Sequence, residues 1–74
     1  MINKIGVFRK KADLNQTEFG DLLGWGQSRV GNYESGYRDP GLDECRAIVA
    51  ALNETGKVNV TLDDVFPPQD RVAA

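Results

Sequence analysis

One stretch, QTEFGDLLGWGQSRVGNYES at residues 16–35, carries the side chains best suited to chemistry. Gln27, Ser28, Gly31 and Asn32 fall together at helical spacing, with Arg29 beside them. They place amides, a hydroxyl and a bare glycine backbone on one helix with few long charges. Amide and hydroxyl groups match the donor and acceptor pattern that base pairs display in the major groove. The plainer alternative is a set of surface polar residues with no partner. Arg29 suits a guanine, a phosphate or a solvated face equally well.

Two short helices must position those groups. One is predicted over Gln16 to Leu23, with Phe19, Leu22 and Leu23 on its inner face. Asn15 is a good N-cap for it, and Glu18 stands at the capping-box distance. Gly24 ends the helix in the way glycine often does. Trp25-Gly26 leaves only a brief connection to the next helix, from Gln27 to about Glu34, with Val30 and Tyr33 inward. Two helices joined so closely cross steeply. Gly20 is the small residue where their backbones meet, and Gly24 permits a positive φ in the turn. Phe19, Leu23, Trp25, Val30 and Tyr33 form the wedge between them, so Trp25 is a turn or core residue rather than a platform for stacked bases.

Three further helices complete an all-α domain. The first runs from about Asn3 to Ala12, with Ile2, Ile5, Phe8 or Arg9, and Ala12 at helical spacing. Gly36 and the turn Tyr37 to Gly41 separate the recognition segment from a fourth helix, Leu42 to Leu52. Leu42, Cys45, Ile48, Val49 and Leu52 mark its apolar stripe, with Cys45 as a small core hydrophobe. A loop over residues 53–57 follows. Val58-Asn59-Val60 alternates like a short strand, which could pair with its copy in a second subunit. Thr61 caps a fifth helix, Leu62 to Phe66, with Asp64 at its third position. The expected division is a domain at 1–66 and a disordered tail at 67–74.

Composition narrows the function classes. The chain has 74 residues, 41% of them hydrophobic, which suits one small globular domain. It has one cysteine and no histidine, so the usual zinc ligand sets and Ser-His-Asp or Cys-His catalysis are excluded. No catalytic residue, cofactor or metal is expected. No apolar run approaches a membrane span, and a soluble cytoplasmic protein is the expectation. The net charge is −2. Residues 1–39 carry +1, from Lys4, Arg9, Lys10, Lys11, Arg29 and Arg38 against Asp13, Glu18, Asp21, Glu34 and Asp39. The acidity therefore sits in residues 40–74. A nucleic-acid-facing N-terminal half remains open, with a weak electrostatic contribution. Lys10 and Lys11 are either solvated or close to phosphate. The rival reading is an antitoxin or adaptor that binds a protein partner through the acidic C-terminal half.

With these residues in view, the chain resembles the lambda-repressor-like helix-turn-helix family of phage repressors and Cro proteins. The resemblance covers most of residues 2–66 and is closest over GWGQSRVGNYESG. It matches glycine at Gly24 and a β-branched residue at Val30, whereas the family usually has alanine where Gly20 stands. It implies five helices, with Glu54 to Val60 a few residues longer than the usual connection. It implies that Gln16 contacts a phosphate and braces Gln27, and that Gln27 reads an adenine. Ser28 and Asn32 are then base contacts, Gly31 allows close approach of the groove, and Ser35 and Arg38 contact phosphates. Arg29 departs from the family's namesake repressor, which has glycine there, and base and phosphate stay open for it. Arg9 and Glu34 match a partly buried ion pair. The family further implies a homodimer on double-stranded DNA at a palindromic operator. At 74 residues there is no room for the self-cleaving domain of larger phage repressors, which favours a Cro-like repressor of phage or prophage type.

Overall fold

A computed structural model describes residues 2–68. Five helices follow one another: α1 (Ile5–Lys11), α2 (Gln16–Leu23), α3 (Gln27–Ser35), α4 (Leu42–Glu54) and α5 (Leu62–Val65). There is no strand among the described residues. The core joins Ile5 of α1, Phe19 of α2, Val30 of α3, Ile48, Ala51 and Leu52 of α4, Val60, and Val65 of α5. Every helix therefore contributes at least one side chain removed from water, the main favourable term in a domain this small.

Local chemistry accounts for the helix ends. Asn15 accepts the Glu18 N–H at 2.7 Å, and Glu18 accepts the Asn15 N–H at 2.9 Å, so the capping box on α2 is complete. Thr61 and Asp64 do the same for α5, at 3.2 and 2.8 Å. Gly24 and Gly36 close α2 and α3 with φ of 74° and 80°, where a side chain would be strained. α1 begins at Ile5 rather than at Asn3 because the Asn3 side chain accepts the Ile5 N–H at 3.0 Å, which places Asn3 outside the helix. The same side chain donates to the Tyr33 carbonyl at 2.8 Å, pinning the start of α1 to the last turn of α3.

Two leucines break the expected apolar stripes. Leu22 is 55% exposed and Leu42 is 56% exposed. In α2 the buried face centres on Phe19, Gly20 and Leu23, because Gly20 must face the next helix. Leu22 lies about 110° around the helix from that centre. In α4 the face centres on Ile48, Ala51 and Leu52, which leaves Leu42 about as far off. Cys45 is buried, and burial, reinforced by the charge of Glu44, pushes its thiol pKa up.

Residues 58–60 form no strand. The Asn53 side chain accepts the Val60 N–H at 2.7 Å and donates to the Val60 carbonyl at 2.9 Å. An amide side chain thus occupies both backbone hydrogen-bonding groups of Val60. α5 then folds back to α1, where the Lys4 N–H meets the Val65 carbonyl at 2.7 Å. Pro67 and Pro68 follow. The remainder of the expected tail, 69–74, lies outside the described residues.

Candidate nucleic-acid interface

The crossing of α2 and α3 sets the geometry. The Trp25 N–H donates to the Gly20 carbonyl at 2.8 Å, drawing the turn onto α2. A Cβ on Gly20 would sit 2.6 Å from the Trp25 carbonyl oxygen, a backbone atom that cannot swing away. Gly20→Ala should therefore lower stability by up to about 2 kcal/mol. That is the roughly 1–3 kcal/mol of overpacking less the ~1 kcal/mol that alanine returns in helix propensity. Urea unfolding of the two proteins measures it, and an unchanged midpoint would mean that the turn can yield.

Behind α3 lies a buried ion pair. Arg9 is 8% exposed. Its Nε and Nη2 donate to the two oxygens of Glu34 at 2.6 and 3.1 Å, and its Nη1 to the Leu14 carbonyl at 2.7 Å. The pair is thus bidentate, the stronger form of such contact. Glu34 does more than balance Arg9. Its Oε1 also accepts from Gln16 Nε2 at 3.2 Å, and Gln16 Oε1 accepts from Gln27 Nε2. One connected network runs from the interior to the first residue of α3.

The direction of that network follows from its chemistry. An ionised carboxylate only accepts. Glu34 therefore requires the amide nitrogen of Gln16, which turns the Gln16 oxygen outward. That oxygen in turn requires the nitrogen of Gln27. The exposed Gln27 is left with its Oε1 and one N–H uncommitted. Gly31 forms the floor of this arrangement, since a Cβ there would lie 3.4 Å from Gln16 Oε1 and 3.6 Å from Gln27 Nε2.

The other singled-out residues are distributed unevenly. Ser28 is exposed in the first turn of α3, and Asn32 is half-buried one turn on. Ser35 Oγ donates to the Asn32 carbonyl and accepts from the Tyr37 N–H, both at 3.2 Å, so its hydroxyl proton already has a partner within the chain. Arg38 is exposed, with its N–H on the Asn32 carbonyl at 3.1 Å. Lys10 and Lys11 are exposed at the end of α1, and Lys11 Nζ lies 5.3 Å from the Phe8 ring. Arg29 does not stand with Gln27 and Ser28. Its guanidinium lies 4.1 Å over the Trp25 ring, and its Nη2 is 3.6 Å from Glu44 Oε2.

Sequence reasoning missed two residues here. The resemblance ties Glu34 only to Arg9, although it follows Gln27 and Gly31 on the same helical face, which is the signal for its contact with Gln16. Glu44 carried no local signal, because its partner is on another helix. No group of three or more His, Cys, Asp or Glu among the described residues could hold a metal. No described helix is long and apolar enough to cross a membrane. In comparison with known proteins, a family model described as helix-turn-helix matches residues 7–59. No curated protein matches the chain.

Proposed function

Because the chain belongs to the lambda-repressor-like helix-turn-helix family of DNA-binding transcription regulators, we propose that it is a Cro-like repressor of phage or prophage type. It acts by occupying a palindromic operator as a homodimer. The observation that carries this reading is the braced amide of Gln27. With one N–H given to Gln16, its Oε1 and second N–H suit the N6 amino group and N7 of adenine in the major groove. Ser28 and Asn32 take neighbouring base edges, and Gly31 lets the groove come close. Gln16, at the first turn of α2, adds a phosphate contact next to free backbone N–H groups. Arg38 adds another phosphate contact. At Ser35 the approach to phosphate requires the hydroxyl to leave the Asn32 carbonyl.

Dimerisation follows from the limited reach of one helix. Two copies of α3 related by a two-fold axis, about 34–36 Å apart, read two half-sites of a palindrome. With a net charge of −2, each subunit has little general attraction for DNA, so direct contacts must carry more of the affinity.

Selection of bound DNA from a random pool, with affinity followed against salt, tests the proposal. An enriched palindrome with a negative salt slope is the expected result. No enrichment even at low salt would overturn it and favour a protein partner for the acidic C-terminal half.

A further inference from the structure

We infer that Arg29 is a positioning residue: it clamps the first turn of α3 to the Trp25 turn and to α4, and it reads no base. The inference rests on the DNA-reading proposal above, because what it positions is the pair Gln27 and Ser28.

Four contacts meet at this side chain. The guanidinium lies 4.1 Å over the Trp25 ring and 5.8 Å from the Tyr33 ring. Its Nε donates to the Tyr33 hydroxyl at 3.4 Å. Its Nη2 faces Glu44 Oε2 at 3.6 Å. Trp25 and Tyr33 in turn meet edge to face, with centroids 5.6 Å apart, so the cation covers an aromatic pair that is itself packed. A planar guanidinium suits stacking on a ring and pairing with a carboxylate at the same time, which an ammonium does less well.

Helix geometry explains why the side chain turns this way. Tyr33 lies one turn after Arg29 on α3, and Trp25, in the turn before α3, packs edge to face on Tyr33, so both rings stand on the side of the helix that Arg29 faces. Gln27 lies about 200° from Arg29 around the helix. A side chain committed to the Trp25 face cannot follow Gln27 into a groove. Glu44 also offsets its charge, which reduces the attraction that a free arginine would add toward phosphate. The contact network joins three elements that otherwise meet mainly through the core: the α2–α3 turn, α3 and α4. Holding them together fixes the direction in which the tip of α3 projects.

Arg29→Met tests this in the full-length chain, since it keeps an apolar stem over Trp25 and removes the planar cation. Affinity for the selected DNA should fall roughly three- to tenfold, evenly across single-base changes, with the salt slope unchanged. In the free protein the Trp25 emission should shift, and Glu44→Gln should shift it in the same sense by less. Arg29→Lys should restore little of the affinity. Loss of discrimination at one base pair would overturn the inference in favour of base contact. A salt slope reduced by about one would overturn it in favour of phosphate contact. Unchanged Trp25 emission in Arg29→Met would overturn it outright. The emission arm needs no DNA. Failure of the wild-type chain to select any sequence would therefore count against the proposed function, while the clamp would still be judged in the free protein.

Discussion

Glu34→Ala should cost about 3–5 kcal/mol of folding stability, the largest effect expected from any single polar substitution in this chain. The reason is what remains afterwards. The Arg9 and Glu34 side chains are only 10% and 13% exposed. Without Glu34, the Arg9 guanidinium keeps the Leu14 carbonyl at 2.7 Å and otherwise faces the interior as an uncompensated charge. Such a loss is a large share of the 5–15 kcal/mol that typically holds a domain together. Arg9→Met should do less harm, because Glu34 retains the Gln16 N–H at 3.2 Å. A double variant, Arg9→Met with Glu34→Leu, should recover much of the loss, since a well-packed apolar pair often matches or exceeds a buried ion pair. Urea unfolding of the four proteins measures all of this. A loss below about 1 kcal/mol for Glu34→Ala would show that water reaches the pair freely.

Much of this fold is legible in the sequence because the signals are local. Asn15 with Glu18, Thr61 with Asp64, and Gly24 after Leu23 each determine a helix end through contacts within a few residues. The five helices and their family follow from those ends and from the residues between Gln16 and Gly36. What failed depends on tertiary geometry. Leu22 and Leu42 fit a periodic stripe, but the close approach at Gly20 rotates the buried face of α2, and Ile48 with Ala51 sets that of α4. The alternation at Val58 to Val60 looks like a strand until Asn53 is found on both backbone groups of Val60. The Arg9–Glu34 pair is visible only through the family resemblance, because the two residues lie far apart in the chain.

The site shows the same division. Gln27 and Ser28 stand exposed at the tip of α3, as the spacing predicts, and the brace from Gln16 is in place. The orientation of Arg29 is half legible: Tyr33 one turn on offers it a ring, but only the folded chain brings Trp25 of the turn and Glu44 of α4 to meet it. Ser35 has the residue type expected near phosphate, yet the turn after α3 uses its hydroxyl first.

Gln27→Ala should weaken operator binding by about 1–3 kcal/mol, roughly 5- to 150-fold, and relax discrimination at one base pair only. Stability should hardly change, because Gln27 is exposed and its removal leaves no buried group without a partner. Under the proposed function, the selectivity comes from the order of the network behind it. The acceptor-only Glu34 turns the Gln16 oxygen outward, which turns the Gln27 nitrogen inward, so the free groups of Gln27 are held in the arrangement that adenine complements. Gln16→Ala should therefore have a distinct signature. It removes one phosphate contact and leaves Gln27 in place but free to rotate, so affinity falls for every operator while adenine and other bases become less distinct at the same position. Binding curves against operators altered one base pair at a time separate the two variants. Should Gln27→Ala keep the full base preference of the wild-type chain, the tip of α3 is not what reads the sequence.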